Sequence, residues 1–127
     1  MTRISIEITY YKELERGIMS SFFQSEQVKN EMEEIMDIQR ELYKVIAQFP
    51  LMSDEAKWYH IETIKELLEK QQIMWTRMCL SEDPDAVKMK NKLKDQTKML
   101  GFGTTDMTTI FKNMKDTLDK MQSQLKR

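Results

Sequence analysis

The residue types that most often carry chemistry are scarce in this sequence. His60 is the only histidine, and Glu55, Tyr59 and Glu62 lie close to it near the start of a segment with helical periodicity. Catalysis or metal binding needs several such groups at suitable spacing, and no HExxH motif or His–Cys pair occurs. The acidic neighbours suit the first turn of a helix. We therefore expect no catalytic residue and no metal ligand here.

Cys79 is the only cysteine, so the sequence contains no pair for an internal disulfide. We expect Cys79 to behave as a small, buried or half-buried hydrophobic residue. The first residues lack the continuous apolar run of a secretory signal, and no segment approaches the length of a membrane span. These features predict a cytoplasmic protein without a membrane partner.

An acidic run and a glycine pair resemble ligand sites without completing one. Glu31, Glu33, Glu34 and Asp37 could suggest the carboxylates of a di-iron bundle, but such sites also need Glu-x-x-His motifs, which are absent. We expect these four carboxylates to form a solvated acidic face. Gly101-Phe102-Gly103 follows a lysine-rich segment and not a strand, which favours a hinge or cap over a phosphate loop. We predict no cofactor and no small-molecule substrate.

A lysine-rich segment, 88–98, is the candidate contact for an acidic partner or a nucleic acid. Its lysines could contact phosphates, while Trp58, Tyr59 and Trp75 could stack on bases. Alternating lysines spread around a helix, however, and two aspartates dilute them. We expect the tryptophans in a core or at its edge. The lysines of this set are Lys88, Lys90, Lys92, Lys94 and Lys98.

The sequence holds twelve methionines, and several lie in a C-terminal row with alternating spacings of four and three residues. Such a row is the seam of a coiled coil or helical bundle, and something must cover it. Met tolerates irregular packing in a core but is also common on adaptable binding surfaces. We predict that part of this row is buried between chains or against a protein partner. Its members are Met107, Phe111, Met114, Leu118, Met121 and Leu125.

Two long helices must position these groups. The first follows Ser25 and carries apolar residues every seven positions, at Val28, Ile35 and Leu42, until Phe49-Pro50 ends it. The second starts with Ser53 as its cap and runs to about Leu80, with Ile61, Leu68 and Trp75 in one row. Because few residues connect them, they should form an antiparallel hairpin with facing apolar stripes.

Two shorter helices follow the hairpin. Asp83 can cap the third helix and Pro84 suits its first position, although its apolar stripe is thin. Gly101 suits the left-handed conformation after a helix end, and Thr104 or Thr105 caps the last helix. The predicted fold class is all-α: a long antiparallel helical hairpin plus a short basic helix and a C-terminal amphipathic helix.

Charge is unevenly distributed along the 127 residues. The net charge is −1, but residues 1–83 hold 10 basic and 16 acidic side chains, giving −6, while residues 84–127 hold 10 and 5, giving +5. The two parts could attract each other, which we favour, or the basic part could contact an acidic partner. The length suits one domain, residues 21–127.

Residues 1–20 form an N-terminal arm or extension with an ambiguous pattern. Ile4, Ile6 and Ile8 alternate as in a strand, but other apolar spacings fit a helix. A lone strand would have no partner, so we favour a helix or an arm that orders only on contact. Met19 and the residues after it look like a native beginning, and 15–17 can be encoded by a purine-rich ribosome-binding stretch. We therefore hypothesise a start at Met19, which sequencing of the natural N-terminus would test.

From Ser21 to about residue 125 the chain resembles a family of short cyanobacterial proteins of unknown function that also has copies in cyanobacterial viruses. The resemblance rests on residues 22–28 (FFQSEQV), residues 77–83 (RMCLSED), and LGFG at 100–103 before a Met-rich helix. Members usually have proline where Asp106 stands, and segment 88–98 is more basic here, which favours a viral copy. The resemblance implies a cyanobacterial or host-cell setting and no activity.

These patterns predict a non-enzymatic helical protein that binds a protein of the cyanobacterial host, or itself, through exposed helix faces. The alternative is a nucleic-acid-associated protein that uses segment 88–98. A steep fall in affinity with salt would distinguish phosphate binding from binding in a Met-lined groove.

Overall fold

The computed structural model describes residues 21–103 and 105–126. Five α-helices follow one another, and no strand occurs among these residues, which confirms the predicted all-α class. A 3-10 helix, Ile46–Leu51, joins the second and third helices, and a π-helical turn, Lys98–Phe102, follows the fourth. The α-helices are α1 (Ser21–Gln24), α2 (Glu26–Val45), α3 (Asp54–Leu80), α4 (Pro84–Thr97) and α5 (Met107–Ser123). The predicted N-terminal arm lies outside the described residues.

The chain divides into two compact units, and both long helices contribute to each. Of the described residues, unit 1 holds 21–32 and 74–103, whereas unit 2 holds 33–73 and 105–126. Unit 1 therefore contains α1, α4 and one end each of α2 and α3. Unit 2 contains the rest of α2 and α3 together with α5.

Unit 2 contains the predicted antiparallel hairpin. Lys70 Nζ on α3 lies 2.7 Å from Glu34 Oε2 on α2, although each residue is several helical turns from the 3-10 connection. Two helices that still meet so far from their connection must run back along each other. Ile35, Leu42, Ile61 and Leu68 are buried in this unit, as their seven-residue spacing predicts.

The ends of the hairpin helices follow local chemistry. Ser53 Oγ accepts a hydrogen bond of 3.2 Å from the Ala56 amide, which confirms the predicted cap of α3. The first helix ends earlier than Phe49-Pro50 as an α-helix, because a 3-10 helix replaces it after Val45. Tighter 3-10 turns are common at helix ends, and Pro50 has no amide proton to donate.

Unit 1 joins α1 to the start of α4 through Asp83. The Asp83 carboxylate accepts hydrogen bonds from the Asp85 amide at 3.0 Å, the Phe22 amide at 3.0 Å and the Ser21 hydroxyl at 3.1 Å. Asp83 is thus the predicted cap of α4, with Pro84 in the first helical turn. The core of this unit is apolar and includes Phe23, Val28, Met32, Met74, Trp75, Met78 and Ala86.

The start of α5 corrects one sequence expectation. Asp106 is its N-cap residue, with extended backbone angles and its carbonyl accepting a 3.0 Å hydrogen bond from the Ile110 amide. Thr105 therefore lies before the cap, and the prediction that it caps the helix is wrong; Thr104 lies outside the described residues. In the part of the chain described, none of the helices has both the length and the apolar character that crossing a bilayer requires.

Candidate functional site

The C-terminal row on α5 is only partly covered in unit 2. Phe111 is buried, and Met107, Leu118 and Leu125 are half-buried. Met114 and Met121, in contrast, keep 39% and 38% of their surface exposed. The structure therefore places five of the six row residues on α5, with Leu125 just beyond its end, and leaves Met114 and Met121 partly exposed to solvent.

Gln122 marks the covered face of α5 near the C-terminal end of the helix. It lies eleven residues after Phe111 and four after Leu118, a spacing that places all three on one helical face. Gln122 is buried despite its polar side chain, so near the C-terminal end of α5 the covered face is rotated away from Met121 towards Gln122. At the other end of the helix Ile110, which is eleven residues before Met121 and shares its face, is buried.

The Gln122 amide is fully engaged with α3. Its Nε2 donates hydrogen bonds to the Trp58 carbonyl at 3.2 Å and to Glu62 Oε2 at 2.7 Å. Its Oε1 accepts a hydrogen bond of 3.0 Å from Lys65 Nζ. A buried amide with these partners is satisfied and fixes the register of α5 along α3.

An ion pair beside Gln122 strengthens the same attachment. Lys65 Nζ lies 2.8 Å from Asp119 Oδ1 and 3.7 Å from Glu62 Oε2. The hydrogen bond with Asp119 raises the pKa of Lys65, and the same bond lowers the pKa of Asp119. Among the described residues this ion pair joins the acidic part of the chain, residues 1–83, to the basic part, residues 84–127. Its lysine, however, belongs to the acidic part and its aspartate to the basic part. We call Gln122, Lys65, Asp119 and Glu62 the α5 polar cluster.

An open cleft of about 690 Å³ adjoins this cluster in unit 2. Its polar lining comes mainly from α3, where Glu62, Glu66 and Glu69 recur at spacings of four and three residues. Lys65 also lines the cleft, and its ammonium is held by the α5 polar cluster. The remaining lining residues are Tyr59, Thr63, Leu68, Gln72 and Lys115.

The predicted lysine contacts lie on α4 and the turn after it, in unit 1. Lys88, Lys92, Lys94 and Lys98 are exposed and Lys90 is half-buried. At 100° per residue, Lys90, Lys94 and Lys98 form one row and Lys88 and Lys92 another, because residues four apart share a face. None of the five makes an ion pair with a carboxylate in the described ranges.

The aromatic residues that could have stacked on nucleic-acid bases do not form an exposed group with these lysines within unit 1. Trp75 is buried, as predicted for a core residue. Tyr59 is exposed, but it belongs to unit 2 and packs edge-on against Trp58, with 5.2 Å between ring centroids. The lysines of unit 1 therefore have no tryptophan exposed beside them within that unit's described residues.

The remaining sequence candidates have structural roles or none. His60 is buried, its ring lies 5.3 Å from that of Phe49, and burial lowers its pKa. Cys79 is exposed, so the expectation of burial is wrong; the preceding Met78 takes the inward position on α3. Among the described residues, no three His, Cys, Asp or Glu side chains are grouped so that they could hold a metal ion.

The acidic run on α2 is divided among separate ion pairs. Glu31 is half-buried and lies 2.7 Å from Arg77 within unit 1, whereas Glu34 pairs with Lys70 within unit 2. Asp37 pairs with Arg40 at 2.6 Å, and Glu33 is exposed. The solvated acidic face is confirmed for Glu33, Glu34 and Asp37, which are exposed; Glu31 departs from it.

Comparison with known proteins gives a match at the level of a family. The sequence model of a family described as a domain of unknown function (DUF1825) matches residues 20–125. None of the curated proteins and none of the solved structures matches the chain.

Proposed function

We propose that this chain, which belongs to the family described as a domain of unknown function (DUF1825), is a non-enzymatic protein that binds other proteins. We further propose that it acts in the cytoplasm of a cyanobacterium or, as a viral copy, of an infected host cell. Its partner is a host protein or a second copy of the chain, and the contact surface is the exposed side of α5.

The exposure of Met114 and Met121 carries this proposal. The two residues belong to the predicted seam and are seven positions apart, and each side chain remains more than one-third exposed. Long, flexible methionine side chains suit a contact surface that must adapt to its partner. Phe111 and the α5 polar cluster hold the helix through an adjoining face, so covering the exposed parts of the methionines does not require α5 to detach from unit 2.

The arrangement of the reactive residue types supports a non-enzymatic role. His60, the only histidine, is buried with its ring against that of Phe49. Lys65 is committed to Asp119 and Gln122. A nucleophile and a base that face each other are the usual minimum for acid–base or covalent catalysis.

Met114→Glu is the direct test of the α5 surface. A carboxylate at the centre of an apolar contact must lose its hydration on binding, so we expect association to weaken at least tenfold. The fold should persist, because the side chain is already exposed. Light scattering at several concentrations measures self-association, and circular dichroism measures folding; Asn113→Glu, an exposed neighbour, is the matched control.

The same pair of variants tests a host partner. Affinity purification from growing or infected cyanobacterial cells should recover a protein with the wild type and with Asn113→Glu, but not with Met114→Glu. Three results together would contradict the proposal: a strictly monomeric wild type, no recovered partner that depends on Met114, and melting of the whole protein when Met114 is changed. They would place α5 entirely in the core.

The second candidate function is nucleic-acid binding through Lys88, Lys90, Lys92, Lys94 and Lys98. The observation in its favour is that these lysines make no ion pair with described carboxylates. If all five displaced counterions from a duplex, the slope of log affinity against log salt would be about −4 to −5. Binding to DNA or RNA with a flat salt dependence, or no binding, would reject this candidate and leave the α5 proposal unaffected.

A further inference from the structure

The turn after α4 exposes three large apolar side chains within four residues. Met99 is 85% exposed, Leu100 63% and Phe102 43%. Gly101 and Gly103 shape the turn with φ angles of +95° and +60°, which side-chain-bearing residues rarely adopt. Scattered exposed apolar residues are ordinary, but three so close together form a local apolar surface that favours burial against another surface.

The same segment is rich in unneutralised positive charge. Residues 84–102 hold five lysines and two aspartates, and Lys94 and Lys98 lie one helical turn apart immediately before the apolar residues. Both lysines are exposed, and neither forms an ion pair with a described carboxylate. The segment therefore presents an apolar surface and a basic surface side by side within unit 1.

We propose that residues 84–102 bind the surface of an anionic lipid bilayer, with the lysines at the headgroups and Met99, Leu100 and Phe102 at the boundary with the acyl chains. A basic helix with adjoining apolar side chains is the composition that interfacial binding uses. A nucleic-acid backbone would engage the lysines but would leave the apolar side chains in water. Charge complementarity and apolar burial together thus select the lipid surface.

This activity lies beyond the proposed function, since it uses unit 1 and not α5 and a different class of partner. It also departs from the sequence expectation that the chain has no membrane partner. That expectation concerned spanning segments, and an interfacial contact needs none: one apolar cluster and one basic cluster can act together as two weak anchors.

Co-sedimentation of the full chain with lipid vesicles tests the proposal. The protein should sediment with phosphatidylcholine vesicles that contain phosphatidylglycerol, and not with phosphatidylcholine alone. Lys94→Gln with Lys98→Gln should lower the partition coefficient roughly 25-fold, at about fivefold for each lysine. Met99→Ser with Leu100→Ser should lower it by at least about tenfold, because two side chains no longer bury apolar surface.

Matched controls come from exposed residues of unit 2. Lys112→Gln with Lys120→Gln makes the same change of net charge, and Leu51→Ser removes an apolar side chain that is 88% exposed. Both should leave vesicle binding unchanged. Circular dichroism on every variant should show wild-type helicity, since all the altered side chains are exposed.

Three results would overturn the proposal. The first is failure of the wild type to sediment with the anionic vesicles. The second is equal loss of binding in the lysine controls, which would indicate diffuse attraction between a basic surface and an anionic one. The third is vesicle binding that survives the Met99→Ser, Leu100→Ser change while short duplex DNA binds as tightly, which would assign the lysines to polyanions in general. None of these results bears on Met114, so the two proposals stand or fall separately.

Discussion

The two helices of the basic C-terminal part, α4 and α5, have similar composition but different attachment. Both helices are shorter than those of the hairpin, and both contain several lysines and at least one methionine. In unit 2, α5 buries Ile110, Phe111 and Gln122 and is held by the α5 polar cluster. In unit 1, Ala86 is the fully buried residue of α4, and the hydrogen bonds of Asp83 hold the start of the helix.

The difference shows how much depends on a few inward positions. On α5 a buried amide finds two acceptors and one donor, which offsets the loss of its hydration and locks the helix. On α4 the inward stripe is thin and the lysines find no described carboxylate. Helix α5 is therefore part of a core, whereas α4 and the turn after it leave most of their lysine and apolar side chains available for contact.

The largest expected effect comes from the hairpin on which both regions depend. Leu68→Asp or Ile35→Asp places a carboxylate at a buried position of the α2–α3 seam. The cost of burying it is several kcal/mol, against a total stability of about 5–15 kcal/mol, so we expect the chain to unfold. Thermal melting followed by circular dichroism measures this.

Ile73→Asp is the matched control for the hairpin variants, because it makes the same change on α3 at an exposed position. It should retain wild-type helicity. A Leu68→Asp or Ile35→Asp protein that melted at the wild-type temperature would show that the seam lies on another face.

A smaller loss should follow Gln122→Ala, which tests what distinguishes α5. The Trp58 carbonyl loses a donor, Glu62 and Lys65 each lose a partner, and the buried side chain leaves a gap. We expect a destabilisation of about 1–3 kcal/mol, measured by urea unfolding. Gln124→Ala, at an exposed position two residues on, should change the unfolding free energy by less than about 0.5 kcal/mol. Equal effects would mean that the polar cluster does not hold α5.

The corresponding variant in unit 1 is Asp83→Ala. It removes the cap of α4 and the acceptor for Ser21 and Phe22, so about 1 kcal/mol of stability should be lost. Glu82→Ala, its exposed neighbour, serves as the control. Hydrogen exchange would sharpen the comparison, because the amides of α4 should lose protection before those of α5. Uniform loss across both helices would contradict their separate attachment.

The smallest effect belongs to Lys90→Glu combined with Lys94→Glu. Lysines without ion-pair partners contribute little to stability, so the change should be below about 0.5 kcal/mol while binding to an acidic partner falls. Melting curves and a binding assay on the same sample separate the two effects. If the double variant failed to fold, the lysines would have to be holding α4 in place through charge.

Sequence periodicity was a sound guide where burial and helix geometry alone decide position. The seven-residue rows of α2 and α3 became buried seams because apolar residues at that spacing share a face and must leave water together. Caps at Ser53 and Asp83 followed from local side-chain oxygens, and the break at Gly101 from its φ freedom. These features depend on neighbours within a few residues in the chain.

The candidate surfaces depended on contacts between distant residues. The sequence alone determined the class of fold, the hairpin rows, the composition of α5 and the position of the basic segment. Only the tertiary structure decided that Gln122 turns inward while Met114 and Met121 stay outside, since that choice depends on the Trp58 carbonyl, Glu62 and Lys65, more than fifty residues away. It likewise decided that Met99, Leu100 and Phe102 stay exposed, because an apolar side chain is buried only where another part of the chain covers it.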